Sequence, residues 1–105
     1  MLTSKQRAYL KSLAMKLDPV INVGKDSMTP GVTDAVNEAI EANELIKVGV
    51  LKNCMDDPRE IAEMLAERTR SEVVQVIGKK IVLYRQAKKP EDRKIVLPKA
   101  VRKAE

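Results

Sequence analysis

Gly24-Lys25-Asp26-Ser27 stands between a short β-rich run and a helix start. At such a junction a glycine lets the backbone approach an anion, the helix N-terminus offers free N–H groups, and a lysine adds charge, which together suit a phosphate. Most strand-to-helix turns contain glycine and bind nothing, so the loop needs company. That company is cationic. Lys5 and Lys11 lie in an N-terminal helical pattern, Lys47 in a β-rich run, and Gly78, Lys79, Lys80 and Arg85 at a hairpin and its end. Each has a plainer role available: Lys47 as a solvent-facing strand residue, Arg85 paired with an acid such as Glu72, Gly78 serving the turn.

Other chemistry is poorly provided for. There is no histidine and one cysteine, Cys54, so no soft-metal cluster, internal disulfide or activated thiol is expected. Asp56 and Asp57 read as helix caps rather than an acid–base pair, and no phosphate-loop or dinucleotide fingerprint occurs. A non-enzyme without metal, cofactor or small-molecule substrate is the expectation. Helix-turn-helix spacing is also absent, which argues against duplex DNA.

The net charge of +5 is unevenly spread: residues 1–25 carry +4, 26–77 carry −6, 78–85 carry +3 and 86–105 carry +4. A molecule so divided presents a basic face to a polyanion and keeps an acidic face in water. With no Trp or Phe, and only Tyr9 and Tyr84, base-stacking platforms are scarce and phosphate contacts should dominate. The acids Glu38, Glu41, Glu60, Glu63 and Glu67 form either a solvated face or a dock for a basic protein.

The elements that must position these residues are legible from caps and periodicity. Thr3-Ser4-Lys5-Gln6 has capping-box spacing, and Leu10, Leu13, Ala14 and Leu17 continue a helix over about 4–17. Asp18-Pro19 stops it, and Val20–Val23 reads as a strand. Thr29-Pro30 starts a second helix with Val32, Val36, Ala39 and Ile40 as its buried stripe. Leu45–Leu51 is a strand, Asp57-Pro58 starts a third helix ending near Arg70, and Glu72–Ile77 and Ile81–Arg85 flank Gly78-Lys79-Lys80 as a hairpin. The order α-β-α-β-α-β-β predicts an α/β two-layer sandwich, a four-stranded mixed sheet with helices mainly on one face. The other face is expected to be open, with Lys47, Gln75 and Arg85 sharing it by alternation. Tyr84 groups with Val82 as packing, and Met15, Met28, Met55 and Met64 read as fillers or loop residues.

With 105 residues, an aliphatic core and no long apolar run, one soluble cytoplasmic domain is expected, ending near residue 86. The segment 87–105, where Arg93–Leu97 lies between Pro90 and Pro98 as a potential edge strand, reads as a basic, loosely ordered tail. No membrane partner is expected; a monomer is, although the sequence leaves the oligomeric state open.

The series Leu10-Lys11-Ser12-Leu13-Ala14, Pro19-Val20-Ile21-Asn22-Val23-Gly24, Met28-Thr29, Glu44-Leu45-Ile46-Lys47-Val48 and Val76-Ile77-Gly78-Lys79-Lys80-Ile81-Val82-Leu83-Tyr84-Arg85 resembles the CRM domain (chloroplast RNA splicing and ribosome maturation). Within that family it is most similar to stand-alone bacterial YhbY-type members. The resemblance implies a fold like the C-terminal domain of a translation initiation factor, RNA binding, and association with precursors of the large ribosomal subunit. It also implies a Gly-x-x-Gly loop akin to that of KH domains. Gly24 matches the first glycine and Ser27 stands at the second, which argues against any role needing positive φ there. Lys11, Lys47, Lys79 and Arg85 carry over from the family pattern; Lys5 and Lys80 rest on charge alone.

Overall fold

The computed structural model describes residues 2–27, 29–93 and 95. Met28, and all of 93–97 except Arg93 and Ile95, lie outside them, as does the tail from 96 onward. Helix α1 (Ser4–Ala14) starts on the expected capping box: the Thr3 hydroxyl accepts from the Gln6 N–H and the Gln6 side chain accepts from the Thr3 N–H, both at 3.1 Å. It ends at Ala14, with Met15 as its C-cap, three residues before Leu17. Strand β1 (Ile21–Val23) leads through the Gly24 loop into α2 (Pro30–Asn43), where Thr29 caps the Val32 N–H at 3.2 Å. Strand β2 (Leu45–Val50) is followed by α3 (Pro58–Thr69), capped by Asp57 and ended by Arg70 in the left-handed region. Strands β3 (Glu72–Ile77) and β4 (Lys80–Tyr84) close the sheet.

The sheet order is β1-β2-β4-β3, with β1 and β2 parallel and the other pairs antiparallel. Helices α2 and α3 cover the face bearing Ile46, Val48, Val50, Ile81 and Leu83, and this is the larger core. The opposite face is not open throughout. Leu10 and Ala14 of α1 pack there against Leu45, Val74, Val82 and Tyr84 in a second core. Arg7 fixes the helix to the sheet by donating to the carbonyls of Val73 (2.5 Å) and Val74 (3.3 Å), at a bulge between Val73 and Gln75. The helices are thus mainly on one face, with α1 alone on the other.

The segment after β4 is also more tightly held than its composition suggests. Its first part returns to the body, where the Ala87 and Ile95 N–H groups donate to the buried Glu44 carboxylate at 2.7 and 2.9 Å. A short 3-10 turn at Pro90–Asp92 lies between them. Of the segment expected to be a loosely ordered tail, residues 87–93 and 95 are described, and there a buried carboxylate supplies acceptors to the Ala87 and Ile95 N–H groups.

Candidate nucleic-acid interface

The topology gathers three connections at one end of the sheet. Because β1 and β2 are parallel, the Gly24-Lys25-Asp26-Ser27 loop and the loop 51–57 leave from the same end, and the antiparallel β3–β4 turn arrives there too. The Leu51 N–H donates to the Val23 carbonyl at 2.8 Å, and the Val50 N–H donates to the Lys79 carbonyl at 2.7 Å. The tip therefore carries exposed Lys25, Lys52, Lys79 and Lys80 beside exposed Leu51, Met55 and Ile77. Asp26, Asp56 and Asp57 lie in the same loops and reduce its net charge. Lys52 belongs to this group yet nothing local in the sequence marks it; only the parallel pairing of β1 with β2 places it there.

Ser27 has φ +52, the left-handed value that the glycine spacing would call for. The expectation that serine argues against positive φ is thus corrected. Two contacts hold it: the Ser27 N–H donates to the Gly24 carbonyl at 2.9 Å, and its hydroxyl donates to the Asp56 carboxylate. Asp57 alone takes the helix-cap role, accepting from the Arg59 N–H at 2.9 Å, while Asp56 serves the loop. The turn between β3 and β4 has two residues rather than three, Gly78 at φ +55 and Lys79, so Lys80 is the first residue of β4.

Register then sorts the sheet cations. Lys47 pairs with Val82, and Gly49 pairs with Lys80, so Lys47 and Lys80 lie on the α1 face. Beyond α1 a row of Asn22, Gly49, Lys80 and Ile77 crosses all four strands, and Ile77 is 58% exposed. A Cβ at Gly49 would meet the end of the exposed Asn22 side chain, which would have to turn away, so the absence of a side chain here lets Asn22 lie over the strand. Lys47 is half-buried in a groove of roughly 340 Å³ with Leu13, Leu17, Asp18, Leu45 and Ile95. Lys5 and Lys11 are exposed on α1.

Arg85 does not join them. Its guanidinium donates to the Asn37 side chain (2.9 Å) and the Thr69 carbonyl (2.6 Å), and pairs with Glu41. It ties β4 to α2 and to the end of α3, on the side opposite Lys47. A shared open face for Lys47, Gln75 and Arg85 is therefore corrected: Gln75 pairs with Val82 on the α1 face, whereas Arg85 follows Leu83 in alternation. Its ion-pair partner is Glu41 rather than Glu72. By contrast, the side chains of Lys47, Lys79 and Lys80 make no hydrogen bond or ion pair among the described residues.

Charge follows the layers. Helix α1 has Lys5, Arg7 and Lys11 and no acid; α2 has Asp34, Glu38 and Glu41 and no base; α3 has Glu60, Glu63 and Glu67 against Arg59 and Arg68. Tyr84 is 4% exposed in the α1-side core, and its hydroxyl has no hydrogen-bond partner among the described residues. Burial, then the nearby Glu44 charge, raises its pKa above the ordinary tyrosine value, while Arg93 acts the other way. It is a packing residue and not a stacking platform. Among the described residues no cluster of three or more His, Cys, Asp or Glu could hold a metal ion, and no helix is long and apolar enough to cross a membrane.

A three-helix, four-stranded domain with a basic helix on one sheet face, an acidic pair on the other and a glycine loop beside a basic turn is the architecture of a small nucleic-acid-binding module. Residues 2–85 match the CRS1 / YhbY (CRM) domain, and the chain belongs to that family. It is 46% identical over 98 residues to "Probable RNA-binding protein YqeI" of Bacillus subtilis, covering 93% of this chain and 100% of that one. It is 37% identical over 98 residues to an "RNA-binding protein" of Haemophilus influenzae, covering 93% and 96%. Its fold is similar to the solution structure of a Staphylococcus aureus protein described as a candidate RNA-binding protein. That match has a TM-score of 0.78 and 48% identity over 93% of this chain and 100% of the other.

Proposed function

We propose that this protein binds RNA without catalysing a reaction, and that its target is the precursor of large-subunit ribosomal RNA, whose assembly it assists in the cytoplasm. The observation that carries the RNA reading is the segregation of charge by layer: Lys47 and Lys80, without partners among the described residues, lie on the face of basic α1, and the acidic helices α2 and α3 cover the other face. Such a face attracts phosphates while the acidic layer turns it toward them. Exposed Ile77 and Leu51 offer apolar surface to ribose or an unstacked base, with no aromatic platform beside them. Binding is then tolerant of sequence and strongly dependent on salt. The ribosomal target rests on the likeness to YhbY-type proteins, and the non-catalytic role on that likeness together with the poor supply of nucleophiles and bases.

Crosslinking in intact cells followed by sequencing of the attached RNA tests the target. Enrichment of large-subunit precursors is expected; enrichment of unrelated transcripts would overturn the ribosomal reading. A second reading has its own observation. Helix α2 presents three carboxylates and no base, a surface suited to a basic ribosomal protein. Association with naked RNA that weakens steeply with salt favours the first reading, and association with purified ribosomal proteins alone favours the second.

A further inference from the structure

Gly49 is an awkward residue for the interior of a sheet. It lies in β2 between β1 and β4, where a side chain ordinarily strengthens the pairing, and the register runs unbroken past it on both sides. What the missing side chain leaves is room. The Asn22 carboxamide lies over Gly49, its oxygen closer than a Cβ could tolerate. Asparagine is a poor strand former, and β1 gives this one no core to fill: Ile21 and Val23 pack on the α2/α3 side, whereas Asn22 is exposed. Its donors and its acceptor make no hydrogen bond among the described residues.

The register sets Lys80 on the far side of Gly49 from Asn22, with Ile77, 58% exposed, beyond it. Adjacent strands are about 4.8 Å apart, so the Asn22 and Lys80 backbones stand roughly 10 Å apart and the leaning carboxamide closes much of that gap. An open amide, an unpaired ammonium and an apolar side chain therefore share one strip of surface. No residue of this row is acidic, nor is any of Lys47, Val82 and Gln75 in the next row of the same face, so the strip favours an anionic ligand that also carries a polar edge. A nucleotide is such a ligand. A carboxamide presents a donor beside an acceptor, and adenine offers the matching pair on both its Watson–Crick and its Hoogsteen edge. We propose that Asn22 is a base-reading residue: its carboxamide, laid over Gly49, pairs with the edge of one unpaired adenine, while Lys80 holds the adjoining phosphate and Ile77 meets the base or ribose. This deepens the RNA reading above and rests on it. The preference it confers is confined to one position of a footprint that phosphate contacts otherwise make tolerant of sequence.

The test uses the full chain and labelled uridine strands of roughly eight nucleotides, three of which carry one central adenosine, guanosine or cytidine, read by fluorescence anisotropy. The adenosine strand should bind about three- to tenfold more tightly than the all-uridine strand. Asn22→Ala should erase that ratio and keep all-uridine affinity within about twofold. Gly49→Ala, which retains the amide but turns it off the strand, should shrink the ratio as well. Lys80→Gln should weaken all four strands alike and leave the ratio in place, a separation that loss of folding does not produce. Equal affinity of the parent for all four strands, or a ratio that survives Asn22→Ala, would overturn the reader. Strands left unbound beside a bound structured rRNA fragment would overturn it too, with the proposed function still standing; no affinity for either probe would overturn both.

Discussion

The two faces of the sheet both carry cations, and they use them differently. On the α2/α3 face, Arg85 is consumed by the fold: Asn37, Thr69 and Glu41 take its donors and join three elements. On the α1 face, Lys47 and Lys80 are left without partners among the described residues, in a half-buried groove and an exposed row. A rigid guanidinium with several donors is suited to bridging carbonyls and carboxylates, whereas lysine's compact charge on a flexible stem remains available. A basic residue near a proposed RNA site is thus informative only once its donors are counted.

The largest effect expected from this contrast follows charge reversal on the α1 face. Lys47→Glu with Lys80→Glu should weaken binding to a structured rRNA fragment by about thirtyfold or more at physiological salt and flatten its salt dependence. Glu38→Lys with Glu63→Lys, on the acidic layer, should leave affinity unchanged or raise it. Filter binding across a salt series reads both, and equal losses from the two pairs would erase the distinction between faces.

Arg85→Ala sharpens the comparison from the other side. Loss of its bonds to Thr69 and Asn37 should lower stability by about 1–2 kcal/mol in denaturant unfolding, with the exposed Glu41 pair contributing little of that. RNA affinity per folded molecule should change by less than about twofold. A stable Arg85→Ala protein that loses RNA would return Arg85 to the site.

At the Gly24 loop a smaller change is expected. Ser27→Gly relieves the left-handed strain but loses the bond to Asp56 and adds unfolded-state freedom, so stability should shift by no more than about 0.5 kcal/mol. RNA affinity should hold or improve slightly, while Lys25→Glu should reduce it. Normal binding by Lys25→Glu would remove the loop from the interface.

The smallest effect at neutral pH belongs to Tyr84. Burial favours its neutral phenol, so the folded pKa is raised and the stabilisation is intact below about pH 10. It is lost as pH climbs from the unfolded value through the higher folded one. Tyr84→Phe should therefore be nearly neutral in stability at pH 7 and show a shallower decline above pH 10, in parallel melts with the parent. The same decline in both proteins would mean that the phenol is not what titrates.

These residues also show how far the sequence could lead. The caps at Thr3, Thr29 and Asp57 and the hairpin glycine act through neighbours three residues away or fewer, and such local rules are visible in one dimension. The side of the sheet that α1 would cover is not local. Strand alternation correctly separates Lys47 from Ile46, but it names an open face only when a single face is core. Leu45, Val82 and Tyr84 make the second face core as well, which is why Arg85 was expected beside Lys47. Glu44 reads in sequence as one more acid at a helix end. Its partners, Ala87 and Ile95, are more than forty residues away and contribute backbone N–H groups, which leave no mark in side-chain pattern.

The central claim is that RNA meets the α1 layer and the adjoining tip, and it is tested most directly by amide chemical-shift mapping during titration with a large-subunit rRNA fragment. The account predicts shifts concentrated in α1, at Lys47, Lys80 and Gly78-Lys79, and in the Gly24 loop, with Asp34–Glu41 and Glu60–Glu67 unmoved. Shifts centred on those acidic helices, with α1 and the hairpin silent, would contradict it.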